Sequence, residues 1–129
     1  MYKYNVQDRD LDPVRKLVQR AHRQMGAGNM LKLLKNLRSI ADKGGGFIDV
    51  GTLCSGCDLI MHALLEMVQE WKEIWDISLE VRHLFACEVD PERQKFIINT
   101  WAPQSVFADI TKMHDDRAYC VRAGANVPN

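Results

Sequence analysis

No stretch of this chain approaches the ~18 consecutive apolar residues that a membrane-spanning helix needs. The opening ten residues are too polar for a secretory signal peptide, so the four cysteines are not expected to form a disulfide framework. No second cysteine pair completes a set of four zinc ligands beside Cys54 and Cys57. We therefore expect an intracellular protein, nuclear if its source is eukaryotic, with no membrane partner and no metal site.

The chain also has no net charge, because 17 basic side chains balance 17 acidic ones. The charges are unevenly placed: residues 1–43 carry six more positive than negative charges, and residues 44–129 carry six more negative ones. A basic segment of this kind is either a solvated helical face or a surface for nucleic acid. The composition, 47% hydrophobic and 26% charged, is typical of a folded globular chain.

Two helices are predicted before residue 46. The dipeptide Asp12-Pro13 favours a helix start, with Asp as N-cap and Pro at the first helical position, and this helix is expected to reach about His22. The segment Met25–Gly28 breaks the pattern. A second helix is predicted over Met30–Ala41, whose apolar residues recur at helical spacing, with Asn29 as its N-cap.

Three consecutive glycines at positions 44–46 form a flexible linker. They set the predicted boundary between a helical N-terminal extension, residues 1–46, and a second domain, residues 47–129. The second domain alternates between strand and helix patterns: a strand from Phe47, a helix over Leu59–Trp75, a strand over Val81–Cys87, a helix over Arg93–Thr100 and a strand over Ser105–Ala108.

This alternation favours a parallel sheet with right-handed crossovers. We therefore predict an α/β, Rossmann-like fold with an incomplete parallel sheet of about three strands, preceded by the two helices. Residues 123–129 indicate a polar loop without a fourth strand, so we expect the chain to be the front part of a larger domain. The four histidines are expected at the surface or partly buried, and the three tryptophans in a core or facing a partner.

The segment Phe47–Cys57 runs from an apolar strand into a turn of small residues, and a helix pattern follows at once. In such a unit the backbone N–H groups at the helix N-terminus face a ligand. Gly56 suits a close approach of that ligand to the backbone, because it has no Cβ. The same pattern also fits an ordinary connection between a strand and a helix.

Two acids follow the next two strands. Glu88 comes directly after the second strand, where an acid in dinucleotide-type folds accepts hydrogen bonds from ribose hydroxyls. Asp109 follows the third strand, where a carboxylate can accept from the amine of adenine while Ile110 packs on the ring. The alternatives are a solvent-facing loop acid for Glu88 and a helix cap before Thr111 for Asp109.

These segments resemble the first three motifs of the cytosine-C5 DNA methyltransferases. The opening cofactor loop of that family is similar to Phe47–Asp49 with Leu53–Cys57, and the match continues at Ala63-Leu64; the second motif is similar to Phe85–Asp90, and the third to Phe107–Thr111. The resemblance covers about residues 47–129 and implies a class I methyltransferase fold that binds S-adenosyl-L-methionine. The cofactor-binding residues that it implies are Leu53, Cys54, Ser55, Gly56, Cys57, Glu88, Val89, Asp109 and Ile110.

The resemblance also implies a reaction, in which a cysteine attacks C6 of a flipped-out cytosine and a methyl group is transferred to C5. In the family that cysteine follows a proline, whereas none of the four cysteines here does. We therefore expect no catalytic residue in this chain and no methylation by the chain alone. DNA is the expected partner, through a part of the protein outside this chain and through the basic N-terminal helices.

The chain departs from the family's pattern at two cofactor positions. Asp58 stands where the family usually has a second glycine, and its charge is expected to face the cofactor's carboxylate. Val89 stands where an adenine-stacking aromatic residue is often found. The alternatives to a cytosine-5 methyltransferase are another Rossmann-like methyltransferase, a non-catalytic remnant, and a thiol redox domain. The redox alternative rests on the Cys54–Cys57 pair at a helix start, where a thiolate is stabilised.

Overall fold

The computed structural model describes residues 13–53 and 56–128. Its α-helices are α1 (Pro13–Met25), α2 (Ala27–Lys43), α3 (Leu59–Trp75) and α4 (Pro91–Thr100). Its strands are β1 (Phe47–Leu53), β2 (Glu80–Cys87), β3 (Ser105–Phe107), β4 (Arg117–Cys120) and β5 (Ala125–Pro128), and a 3-10 helix spans Ile110–Lys112. The fold is therefore α/β. Within the described ranges, no helix has the length and apolar character needed to cross a membrane.

The two N-terminal helices are longer than predicted, and the gap between them along the sequence is shorter. Only Gly26 interrupts them, because its φ of 82° lies in the left-handed region that glycine adopts without strain. The prediction that the whole segment Met25–Gly28 breaks the helix is wrong. Asn29 is not the N-cap of α2 either: it lies inside the helix, and its side chain donates to the carbonyl of Met25 at 3.2 Å.

The predictions for the two later helices are confirmed. The α3 helix spans Leu59–Trp75 as its unbroken apolar periodicity indicated. The α4 helix begins at Pro91, and the Asp90 carboxylate accepts hydrogen bonds from the backbone N–H groups of Glu92 and Arg93. This is the capping that the Asp-Pro pattern predicted.

The sheet has five strands in the order β1-β2-β3-β4-β5, not about three, and it is mixed rather than parallel. Strands β2 and β3 are parallel, with Cys87 opposite Phe107, whereas β4 runs antiparallel to both β3 and β5. The short connections after β3 explain the direction, because a parallel strand needs a crossover of a dozen or more residues.

The missed strands form a hairpin, and residues 123–129 are therefore not simply a polar loop. Ala118 and Cys120 are buried while Arg117 and Tyr119 are exposed, which is the alternation of a strand with one covered face. Gly124 closes the hairpin: its φ is 65°, and its N–H donates to the carbonyl of Cys120 at 2.9 Å. The small, weakly hydrophobic inward residues hid this pattern in the sequence.

The chain divides into two compact units that interleave along the sequence. The first comprises residues 1–48 and 60–81, and Leu37, Trp71 and Ile77 form its core. In this unit α1 contacts α3 through Arg15, whose guanidinium donates to Glu70 at 2.7 Å and to Glu73 at 2.7 Å. The predicted boundary after residue 46 stays a prediction.

The second unit comprises residues 49–59 and 82–129. Its core consists of Cys87, Phe107, Ala118 and Cys120, on the strands β2, β3 and β4. The ring of Phe85 packs against this core, with its centroid 6.1 Å from that of Phe107. The described residues of the turn after β1 and those after β2 and β3 belong to this unit, so the described members of the predicted cofactor set lie in one unit.

Candidate cofactor-binding site

The turn between β1 and α3 is the first part of the candidate site. Gly56 has a φ of 57° and Asp58 a φ of 59°, so two of its positions lie in the left-handed region. Apart from its chain neighbours, no atom of the described residues lies within 4 Å of the place where a Cβ on Gly56 would stand, which leaves its backbone open to close approach. Of the other predicted turn residues, Leu53 and Cys57 are exposed, and Cys54 and Ser55 lie outside the described residues.

Glu88 is joined directly to this turn. It follows β2, is 5% exposed, and its Oε2 accepts a hydrogen bond from the backbone N–H of Gly56 at 2.6 Å. Its Oε1 accepts from the N–H of Asp90 at 2.9 Å. Each carboxylate oxygen has a further lone pair, so Glu88 can hold the turn and still accept from a ligand hydroxyl.

The backbone of Glu88 is fixed as firmly as its side chain. Its N–H donates to the carbonyl of Phe107 at 3.0 Å, and its carbonyl accepts from Nε2 of Gln94 at 2.6 Å. The first bond ties the end of β2 to β3, and the second ties it to α4. The carboxylate is therefore presented from a rigid segment, which suits a group that orients a ligand.

Asp109 and Ile110 follow β3, at the same end of the sheet as Glu88, because β2 and β3 are parallel and in register. The Asp109 carboxylate accepts from the backbone N–H of Thr111 at 2.9 Å and from its hydroxyl at 2.6 Å. These bonds lower the pKa of Asp109. The cap interpretation of Asp109 is thus confirmed, while its contact with adenine stays a prediction.

Three apolar side chains at these strand ends are exposed. Val89 is 78% exposed, Leu53 54% and Ile110 45%. Such side chains are available for contact with an aromatic ring, and they follow three neighbouring strands of one sheet.

Asp58 does not present its charge to a ligand, which corrects the expectation from sequence. Its side chain is fully buried, and Oδ2 accepts from the Thr52 hydroxyl at 3.0 Å. Nε2 of His83 lies 3.3 Å from both that hydroxyl and the carboxylate. Burial raises the pKa of Asp58, opposed in part by the bond from Thr52, and burial lowers the pKa of His83.

Thr52, His83 and Trp101 were not predicted as parts of the site. Thr52 is the buried residue of strand β1, in which exposed and more buried positions alternate. A polar residue at an inward position of such a strand is the signal that could have pointed to it. His83 is buried, and so is His22, which corrects the expectation that the histidines lie at the surface or are partly buried. The indole N–H of Trp101 donates to the carbonyl of Cys57 at 3.0 Å, and nothing in the sequence pattern indicates that contact.

The thiol redox alternative stays a prediction, because the described residues hold only part of the cysteine pair on which it rests. Cys57 is an exposed free thiol, and Cys87 and Cys120 are buried free thiols. Cys54, the other half of the predicted redox pair, lies outside the described residues. No group of three or more His, Cys, Asp or Glu side chains among residues 13–53 and 56–128 is arranged to hold a metal ion.

Comparison with known proteins gives one result that bears on this geometry. No protein-family model matches the chain. A stretch of 75 residues is 31% identical to the DNA (cytosine-5-)-methyltransferase DMT5 of Cryptococcus neoformans var. grubii. This chain is similar to a DNA cytosine-5 methyltransferase. The similar stretch covers 58% of the chain but 3% of the relative.

The similarity to a cytosine-5 methyltransferase agrees with the motif resemblance of the turn and of the two strand ends. It supports a methyltransferase relation and a link to DNA methylation at that general level. The chain spans 3% of the length of this relative, whose name describes the activity of a much larger protein.

Proposed function

We propose that this chain binds S-adenosyl-L-methionine as part of a DNA cytosine-5 methyltransferase-like protein. The observation that carries the proposal is the 2.6 Å hydrogen bond between the Gly56 N–H and the Glu88 carboxylate. It joins the turn after the first strand to the acid after the second, which are the two elements that a nucleoside pocket at strand ends requires.

The chain's residues fit the cofactor in chemical terms. Glu88 keeps lone pairs for the two ribose hydroxyls, and Gly56 lets the methionine part of the cofactor approach the turn formed with Leu53, Cys54, Ser55 and Cys57. Asp109 would contact the adenine amine and Ile110 the adenine ring. Val89 would lie beside the ring as a second exposed apolar side chain. The bound cofactor would supply the methyl group for transfer to cytosine C5.

The role of this chain in that reaction is to bind and orient the cofactor. We assign no catalytic residue to it, because none of its four cysteines follows a proline. DNA is the proposed substrate of the whole protein, in keeping with the name of the similar methyltransferase.

The basic face of α1 is a proposed second contact with DNA. Lys16, Arg20 and Arg23 are exposed and follow one another at spacings of four and three residues, so they lie along one side of the helix over about 10 Å. The α1 helix contains no acidic residue. Three cations in a line complement the phosphates of a DNA strand, which provide most of the sequence-independent affinity of DNA-binding proteins.

The test of the cofactor proposal is isothermal titration with S-adenosylhomocysteine. Replacing Glu88 by Ala removes a charge-assisted hydrogen bond worth ~1.5–3 kcal/mol, so the affinity should fall about ten- to a hundredfold. The matched control is Glu92→Ala, which removes an exposed glutamate of α4 and should leave the affinity unchanged. An unaltered dissociation constant in folded Glu88→Ala protein would rule out the assignment.

A further inference from the structure

A cluster of three polar side chains lies beneath the candidate cofactor turn, and the proposed function does not use it. It consists of Thr52, Asp58 and His83, and all three side chains are buried. Within the described part of the chain, Oδ1 of Asp58 has no hydrogen-bond partner. Burying a polar atom without a partner opposes folding, so Asp58 carries a cost in stability at this position.

The cluster joins the two ends of the turn. Thr52 lies near the end of β1, and Asp58 lies directly before α3, so their 3.0 Å hydrogen bond closes the loop between strand and helix. His83, on the neighbouring strand β2, contacts both residues at 3.3 Å and fixes the closed ends against the sheet. The middle of the turn is held separately, by Glu88 at the Gly56 N–H and by Trp101 at the Cys57 carbonyl.

The distances fit an order of donors and acceptors in which His83 carries its proton on Nε2. The Thr52 hydroxyl donates its single proton to the Asp58 carboxylate, and its oxygen can then accept from Nε2–H of His83. The bonds then run from His83 to Thr52 and from Thr52 to Asp58. Thr52 is thus bonded to both of the other side chains, which also lie 3.3 Å from each other.

The unusual backbone conformation of Asp58 explains why the turn needs these side-chain contacts. At a φ of 59° a residue other than glycine is disfavoured, although Asp tolerates this region better than most residues. The methyltransferases that the chain resembles usually have glycine at this position. In this chain, the bonds to the Asp58 side chain hold a conformation that glycine would adopt freely.

We propose that Thr52, Asp58 and His83 are positioning residues that fix the turn so that the Gly56 N–H meets Glu88 and the backbone is presented to the cofactor. The inference rests on the proposed cofactor site, but its effect on the turn is measurable without cofactor. The Gly56 amide reports the turn directly, because a short hydrogen bond to a carboxylate shifts an amide proton downfield.

The experiment compares Thr52→Val with Thr52→Ser. The Val variant keeps the shape of the side chain and removes the hydroxyl, whereas the Ser variant keeps the hydroxyl. In an amide nitrogen–proton spectrum of the cofactor-free chain, Thr52→Val should move the Gly56 resonance upfield, and Thr52→Ser should restore it. S-adenosylhomocysteine affinity, measured by isothermal titration, should fall about tenfold in the Val variant and recover in the Ser variant.

The control is Cys120→Ala, which removes another buried hydrogen-bond acceptor of the same unit. The Cys120 thiol accepts from the Val106 N–H at 3.4 Å, a bond between strands β4 and β3 that involves no residue of the turn. This variant should melt at a lower temperature yet leave the Gly56 resonance in place. If Thr52→Val fails to fold, His83→Gln serves as the second variant, and the inference requires it to shift the same resonance.

Three results would decide the matter. A Gly56 resonance that stays in place in Thr52→Val, with a lower melting temperature as in Cys120→Ala, would make the cluster merely structural and overturn the inference. A shifted resonance with unchanged affinity would overturn its link to the cofactor. Absence of binding in the unchanged chain would refute the proposed function, while the resonance would still test the positioning role.

Discussion

The histidine on α1 is held in one protonation state by its neighbour. The indole N–H of Trp71 donates to Nε2 of His22 at 3.1 Å, and an indole nitrogen can only donate. Nε2 of His22 must therefore be unprotonated. In a doubly protonated ring, the Nε2–H group would point at the indole N–H, so that two donors would face each other. Burial acts in the same direction and lowers the pKa of His22.

This bond predicts a loss of stability in mild acid. The unfolded histidine titrates near its ordinary pKa of ~6.5 and the folded one at lower pH, so in that interval the unfolded chain binds more protons. The free energy of unfolding should therefore fall as the pH drops below about 6.5, and His83, whose pKa is lowered too, adds to the fall. Urea unfolding followed by tryptophan fluorescence at pH 7.5 and 5.5 measures it.

His22→Gln separates the contribution of the Trp71 bond from the rest. A glutamine oxygen can accept from the indole at both pH values, so the difference in stability between pH 7.5 and 5.5 should shrink. The control is His114→Gln, which replaces an exposed histidine and should leave the difference as it was. A difference that stays the same in His22→Gln would contradict the role given to the Trp71 bond.

At the level of elements, a buried ion cluster fastens α1 to α3. The Arg15 guanidinium lies 3.4 Å from Glu66 and 2.5 Å from Glu70, and these two carboxylates are nearly as buried as the arginine itself. Glu73 completes the cluster from a more exposed position, at 2.7 Å. Among the described residues, Arg15 is the cation that all three of these carboxylates approach.

Removing that cation should be costly. Arg15→Met keeps an unbranched apolar stem but leaves buried carboxylates without a counter-charge, and we expect a loss of ~3–5 kcal/mol in the free energy of unfolding. The matched control is Arg82→Met, since Arg82 makes an exposed pair with Asp49 at 2.5 Å and 2.8 Å, which water and salt screen. Equal losses in the two variants, measured by urea unfolding, would contradict this account of the α1–α3 contact.

The elements that sequence predicted well are those with a strong local signal. The α3 helix has an unbroken apolar periodicity, and the start of α4 has both a capping Asp and a Pro, so each boundary depends on residues within one turn of helix. The β4–β5 hairpin has no such signal, because its inward residues Ala118 and Cys120 are small. The alternation of inward and outward residues is present, but the inward residues are only weakly hydrophobic.

The candidate site divides in the same way. Gly56, Glu88 and Asp109 could be found because each occupies a strand end that a local pattern marks. The Thr52–Asp58–His83 cluster could not, because its contacts join residues up to 31 positions apart, and a pattern read along the chain does not reveal pairing across strands. The burial of Asp58 depends on that pairing, so the local pattern alone predicts an outward charge.

At the scale of the whole molecule, the separation of charge is the feature with the widest consequence. Residues 1–43 carry an excess of six positive charges, and among the described residues 13–43 every lysine and arginine except Arg15 is exposed. Helix α2 adds Lys32, Lys35 and Arg38, all exposed. A surface of this kind attracts polyanions over a distance that salt sets.

The proposed DNA contact of α1 is tested by the dependence of binding on salt. Fluorescence anisotropy with a labelled duplex should show that the logarithm of the binding constant falls linearly with the logarithm of the salt concentration, because each neutralised phosphate releases counterions. Replacing Lys16, Arg20 and Arg23 together by Gln removes three contacts, and the slope should decrease in magnitude by about 2.7, at ~0.9 for each contact.

The matched control replaces Lys32, Lys35 and Arg38 by Gln, which changes the net charge equally but on α2. Long-range attraction alone would make the two triple variants behave alike, whereas direct contact through α1 requires the first to lose more affinity and more slope. Helix α2 contains the acid Asp42 near its end and α1 has none, so the phosphates should favour α1. Equal slopes for both variants would leave the basic segment as a solvated face and withdraw DNA as its partner.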